Sequence, residues 1–103
     1  MSTATNQFYS ILGSHKKYPH DGVRDLFAGI LIQAWHDSYK ADKNKPAYKS
    51  NTKLSRLFLT GNYSRDMLKI CCSAIDIDPN SVVRQASNQK WAKGINPRYF
   101  RDE

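Results

Sequence analysis

Ser64–Gln89, SRDMLKICCSAIDIDPNSVVRQASNQ, is the stretch that organises the chain. At its centre, Asp78 offers a side-chain oxygen to the first free N–H groups of a helix. Pro79 takes the first helical position, where its fixed φ and missing N–H cost nothing. A helix therefore starts at Pro79 and is expected to run to about Lys90 or Trp91, with Val82, Val83 and Ala86 turned inward. Upstream, Ser64 offers an N-cap for a helix over residues 65–75, whose inward face is Met67, Leu68, Cys71, Cys72 and Ile75. The stretch reads as helix, tight turn, helix.

Working outward, Asp21 to Lys40 predicts the strongest helix. Val23, Leu26, Phe27, Ile30, Leu31, Ala34 and Trp35 recur at three-and-four spacing and form one apolar stripe, with Asp21 as N-cap and Lys40 in the last turn. Residues 41–51 carry Lys43, Lys45, Pro46 and Lys49 without an apolar period, and predict an exposed connection. A short helix is expected over residues 52–59, with Leu54, Leu57 and Phe58 inward, closed by the turn Thr60-Gly61-Asn62-Tyr63. Residues 1–20 predict a partly irregular arm with one helical turn, and residues 92–103 a basic, aromatic tail. No stretch alternates as a strand would. The expectation is an all-α, compact bundle of four to five helices in a single domain of 103 residues, with the helix-turn-helix-like pair in its C-terminal half.

Sixteen Lys and Arg stand against nine Asp and Glu, a net charge of +7 with a pI near 9.6. The excess is uneven. Arg84, Lys90, Lys93, Arg98 and Arg101 follow one another with no acid between Asp78 and Asp102. Such a run attracts polyanions. The N-terminus has neither the basic region nor the apolar core of a signal peptide, and the apolar stretch Leu26–Trp35 is far too short for a bilayer. A cytoplasmic location is expected, the host cytoplasm if the chain is phage-encoded, with no membrane partner. Cys71 and Cys72 are adjacent and ill-placed to pair with each other, so they are read as reduced core thiols.

The 64–89 stretch resembles the helix-turn-helix of phage repressor and Cro-type DNA-binding proteins. In that motif a small residue in the first helix admits the second helix, and Cys72 matches it. An apolar residue after the turn plugs the angle between the helices, and Ile77 matches it; another in the second helix, matched by Val82, completes the small core. Where the family commonly has Gly in the turn this chain has Asp76, which tolerates positive φ. Where the second helix often has an apolar residue this chain has Gln85. An ordinary pair of helices joined by a capped turn would share most of this pattern.

If the resemblance extends to function, Asn80, Ser81, Arg84, Gln85 and Asn88, with Gln89, would face base edges in the major groove of double-stranded DNA. Lys53, Arg56, Arg65, Lys69, Lys90 and Lys93 would meet phosphates. The expected function is transcription regulation of phage or bacterial type, with a homodimer as one form. A different class is a phage-type interaction factor or inhibitor whose basic surface binds an acidic host protein. A third is binding of RNA or single strands by Trp91 and Tyr99; these aromatics, with Phe100, could instead cover a core or a dimer seam. Catalysis is not expected: His15, His20 and His36 lack ligand spacing, the cysteines form no metal pattern, and no phosphate-binding glycine loop occurs, so no cofactor is called for.

Overall fold

In the computed structural model, residues 3–12, 22–39 and 48–101 are described. Among the described residues five helices carry the fold: α1 (Thr3–Leu12), α2 (Gly22–Tyr39), α3 (Tyr48–Leu59), α4 (Arg65–Ala74) and α5 (Pro79–Ser87), followed by a 3-10 turn at Lys90–Ala92. Among the described residues there is no strand. The architecture is an all-α bundle in which α2 lies against α3 and α4, and α5 packs on α1, α3 and α4.

The first helix is longer than the single turn expected of this region. Its driving force is the pair Phe8 and Leu12, four residues apart on one face and both buried. Phe8 stacks on Trp35 of α2, with ring centroids 4.2 Å apart and planes 13° off parallel. Residues 13–20, including His15 and His20, lie outside the described part of the chain.

In α2, Ala28, Leu31, Trp35 and Ser38 form the buried stripe. Leu26, expected inward, is 63 % exposed because it lies about 200° round the helix from Ala28, on the far side. Asp21, Lys40 and the side chain of Val23 lie outside the described residues. The C-terminal end of α2 is tied by Arg56, whose Nε–H donates to the Ser38 carbonyl at 2.9 Å. This satisfies one of the carbonyls that a helix end leaves without an intrahelical partner.

Helix α3 begins four residues earlier than expected, at Tyr48; Lys43, Lys45 and Pro46 fall outside the described residues, as does the Lys49 side chain. Thr52, Phe58 and Leu59 are buried. Leu54 is not on the inward face. It is 40 % exposed, again about 200° round from Thr52.

Helices α3 and α4 stop by the same device. Asn62 N–H donates to Leu57 O at 2.8 Å and Gly61 N–H to Phe58 O at 3.2 Å, with Gly61 at φ 78. Likewise Ile77 N–H donates to Cys72 O at 2.9 Å and Asp76 N–H to Ser73 O at 3.3 Å, with Asp76 at φ 60. Both are Schellman motifs, in which one left-handed residue lets two later N–H groups reach back to the last carbonyls.

The start of α4 departs from expectation. Ser64 has φ 51 and ψ 48 and makes no side-chain cap, because an N-cap hydroxyl reaches the next N–H groups only from extended backbone. Leu68, Cys71, Cys72 and Ile75 are fully buried, whereas Met67 is 40 % exposed, one position off that stripe. For α5 the cap is as read: Asp78 Oδ1 accepts from Asn80 N–H at 3.0 Å, with Pro79 behind it. Val82, Val83 and Ala86 are buried. The helix ends at Ser87 rather than near Lys90, and Gln89 breaks into extended backbone before the 3-10 turn.

Candidate nucleic-acid interface

Between α4 and α5 the connection is Ile75–Asp78. Cys72 and Val82 are fully buried in the shared core and Ile77 packs against it, the positions at which the small and plugging residues were expected. Asp76 takes the left-handed conformation that a Gly would occupy, and its carboxylate meets Arg24 of α2 at 3.3 Å.

The outward face of α5 is narrower than the sequence suggested. Arg84 and Asn88 are exposed and Ser81 is half-exposed, at i, i+3 and i+7 on one stripe. The other amides are engaged within the molecule. Asn80 donates from Nδ2 to Phe100 O at 2.9 Å and accepts Phe100 N–H on Oδ1 at 2.7 Å, so its carboxamide pairs with the tail as a strand neighbour would. Gln85 Nε2 donates to Gln7 Oε1 of α1 at 3.0 Å. Gln89 accepts from the Tyr39 hydroxyl and donates to Gln85 O at 2.9 Å.

The six expected phosphate contacts divide in two. Lys53, Lys69, Lys90 and Lys93 are exposed. Arg56 and Arg65 instead hold the fold together. Besides tying α2, the Arg56 guanidinium lies 5.6 Å from the Trp91 ring centroid. Arg65 donates from Nη1 to Gly61 O at 2.6 Å and to Arg98 O at 3.0 Å, and from Nη2 to Tyr99 O at 3.4 Å, while stacking 4.3 Å over Phe100.

The chain after the 3-10 turn is the part that sequence reasoning placed least well. It runs back across the α3–α4 turn to the first turn of α5. Arg98 N–H donates to Thr60 O at 2.9 Å and Asn62 Nδ2 to Asn96 O at 2.8 Å. Gly61 lies directly beneath: a Cβ there would overlap the Arg98 carbonyl oxygen. Phe100 and Trp91 pack against the core. The basic side chains meanwhile point out, since Arg84, Lys90, Lys93, Arg98 and Arg101 are all exposed. Arg98 and Arg101 were not among the expected contacts. Their signal was present in the acid-free run, but the backbone bond that sets Arg98 beside the α3–α4 turn joins residues distant in sequence.

Cys71 and Cys72 are free and buried. Burial pushes the Cys71 thiol up, and pushes Cys72 from 9.0 to about 12 with the adjacent Cys71 and the Asp78 carboxylate adding to the effect. A thiol held this way is a poor nucleophile. No three His, Cys, Asp or Glu residues gather as metal ligands among the described residues, and no described helix is long and apolar enough to cross a membrane. No protein-family model, curated protein or solved structure matches this chain.

Proposed function

We propose that this protein binds double-stranded DNA, with α5 as the reading helix of an α4–α5 pair and transcription regulation as its role. The observation that carries this reading is the exposure of all five cations in the acid-free run, Arg84, Lys90, Lys93, Arg98 and Arg101. Exposed cations with no intervening acid are what a phosphate backbone rewards by counterion release. Ser81, Arg84 and Asn88 are the side chains offered to base edges; Asn80, Gln85 and Gln89 serve the fold first. Lys69 and the exposed cations after α5 supply phosphate contacts.

Titration of duplex DNA across a salt series tests the reading. Binding that weakens steeply with salt, roughly 0.9 log units per log unit for each phosphate neutralised, is the expected result. Absence of salt-sensitive binding near physiological ionic strength would overturn it. The three engaged carboxamides favour one second reading, docking of the same cations on an acidic protein surface. Retention of a partner after nuclease treatment, together with no duplex affinity, would select it.

A further inference from the structure

The groove beside the docked tail is a different feature from the outward face of α5. Arg65, Pro97, Arg98, Tyr99 and Arg101 line a cavity of ≈ 520 Å³, and among the described residues no acid lines it. A second cavity shares Arg65 and Arg101 on the side of α4, but Asp66 and Asp78 line it too and leave it of mixed sign. Three arginines therefore line one space, and none of the described residues that share it carries a carboxylate.

The groove is also held in shape. Arg65 is fixed by donation to Gly61 O, Arg98 O and Tyr99 O and by its place over the Phe100 ring. The opposite wall is held by backbone contacts and buried groups: Arg98 N–H on Thr60 O, the two-way Asn80–Phe100 pairing, and Gly61 pressed under the Arg98 carbonyl. The Arg98 and Arg101 side chains take no part in these contacts and are exposed, and Tyr99 is 42 % exposed with its hydroxyl as a neutral donor. Planar forks on a fixed wall suit a tetrahedral oxyanion, since guanidinium groups bind phosphate oxygens in pairs and lose little freedom in doing so.

We propose that the groove between Arg65, Arg98, Tyr99 and Arg101 is a phosphate-binding site. Its ligand class is a phosphate group, carried either by a nucleic-acid backbone or by a free phosphomonoester. Only the first source rests on the DNA reading above; the site itself stands on the groove.

The test follows the backbone amides of residues 97–101 and the arginine Nε–H signals by NMR, with inorganic phosphate as titrant and chloride at matched ionic strength as control. A duplex lacking terminal phosphates is titrated in parallel across salt. Wild type is compared with the double variant Arg98→Ala/Arg101→Ala and with Arg84→Ala. Because the tail is anchored through its backbone and Phe100, the double variant is expected to keep its melting temperature.

The expected result is a saturable phosphate response at Arg65, Arg98 and Arg101 that the double variant loses and Arg84→Ala keeps. With duplex DNA, the double variant should lower the salt slope by about 2, near 0.9 for each cation removed. Phosphate binding at these residues in a wild-type chain that ignores duplex DNA would uphold the site while overturning the DNA reading. Duplex binding with an unchanged slope in the double variant, and no saturable phosphate response in wild type, would overturn the site and leave the DNA reading intact.

Discussion

Gly61 and Asp76 occupy the same left-handed position in two equivalent helix stops, yet they differ in what replacement costs. At Gly61, alanine adds both positive-φ strain and an overlap with the Arg98 carbonyl, so Gly61→Ala is expected to cost about 2 kcal/mol or more and to loosen the tail. Denaturant unfolding and hydrogen exchange of the Arg98 amide measure the two effects separately. Asp76→Gly relieves strain of about 1 kcal/mol and loses an exposed ion pair worth at most about as much, so its stability should change little. Asp78→Ala removes the carboxylate that accepts the Asn80 N–H at the start of α5 and is expected to cost about 1 kcal/mol, read as a fall in denaturant midpoint. At Cys72, folding holds the thiol neutral, so the unfolded chain releases its proton first as pH rises. Its contribution to stability is whole below 9.0 and is lost between 9.0 and about 12. A fall in denaturant midpoint over that interval, shallower in Cys72→Ala, checks the sign.

Along a helix, the decisive quantity is the angle at which each side chain meets its neighbours. Leu68→Ala should cost about 2–5 kcal/mol, because Leu68 is fully enclosed. Met67→Gln, one residue away, should stay within about 0.5 kcal/mol because that side chain already faces outward. Thermal melts of the two variants make a direct comparison. The same contrast explains what the sequence disclosed. The Asp78-Pro79 start of α5 and the Gly61 stop of α3 were legible because caps act within a few residues. Leu26, Leu54 and Met67 were assigned inward because apolar type alone says nothing of which neighbour covers which side. Ser64 failed as a cap because the preceding turn delivers it in left-handed rather than extended backbone, which its residue type does not reveal. Helix α1 was underestimated because the value of Phe8 depends on Trp35, which lies in another element.

Across the molecule, the charge excess was legible and its use was not. Net charge and the acid-free run located the basic region, but the acceptors of Arg56 and Arg65 are main-chain carbonyls, which every residue has and no sequence pattern marks. This divides the cations into those that hold the fold and those left to solvent. Under the DNA reading, Arg84→Ala should lose about 1–3 kcal/mol of discrimination at one base position, whereas Lys69→Ala should weaken all sites alike and lower the salt slope by about 1. Competition binding with single-base variants of a selected site separates these outcomes.

The Gln7–Gln85 bond joins the first helix to the last across 78 residues of chain. During synthesis α1 leaves the ribosome first, yet the surface that seats it is completed only when α5 emerges. A nascent chain halted before Pro79 can stack Phe8 on Trp35 but leaves the α5 side of α1 uncovered, so α1 is fully seated only after α5 has emerged.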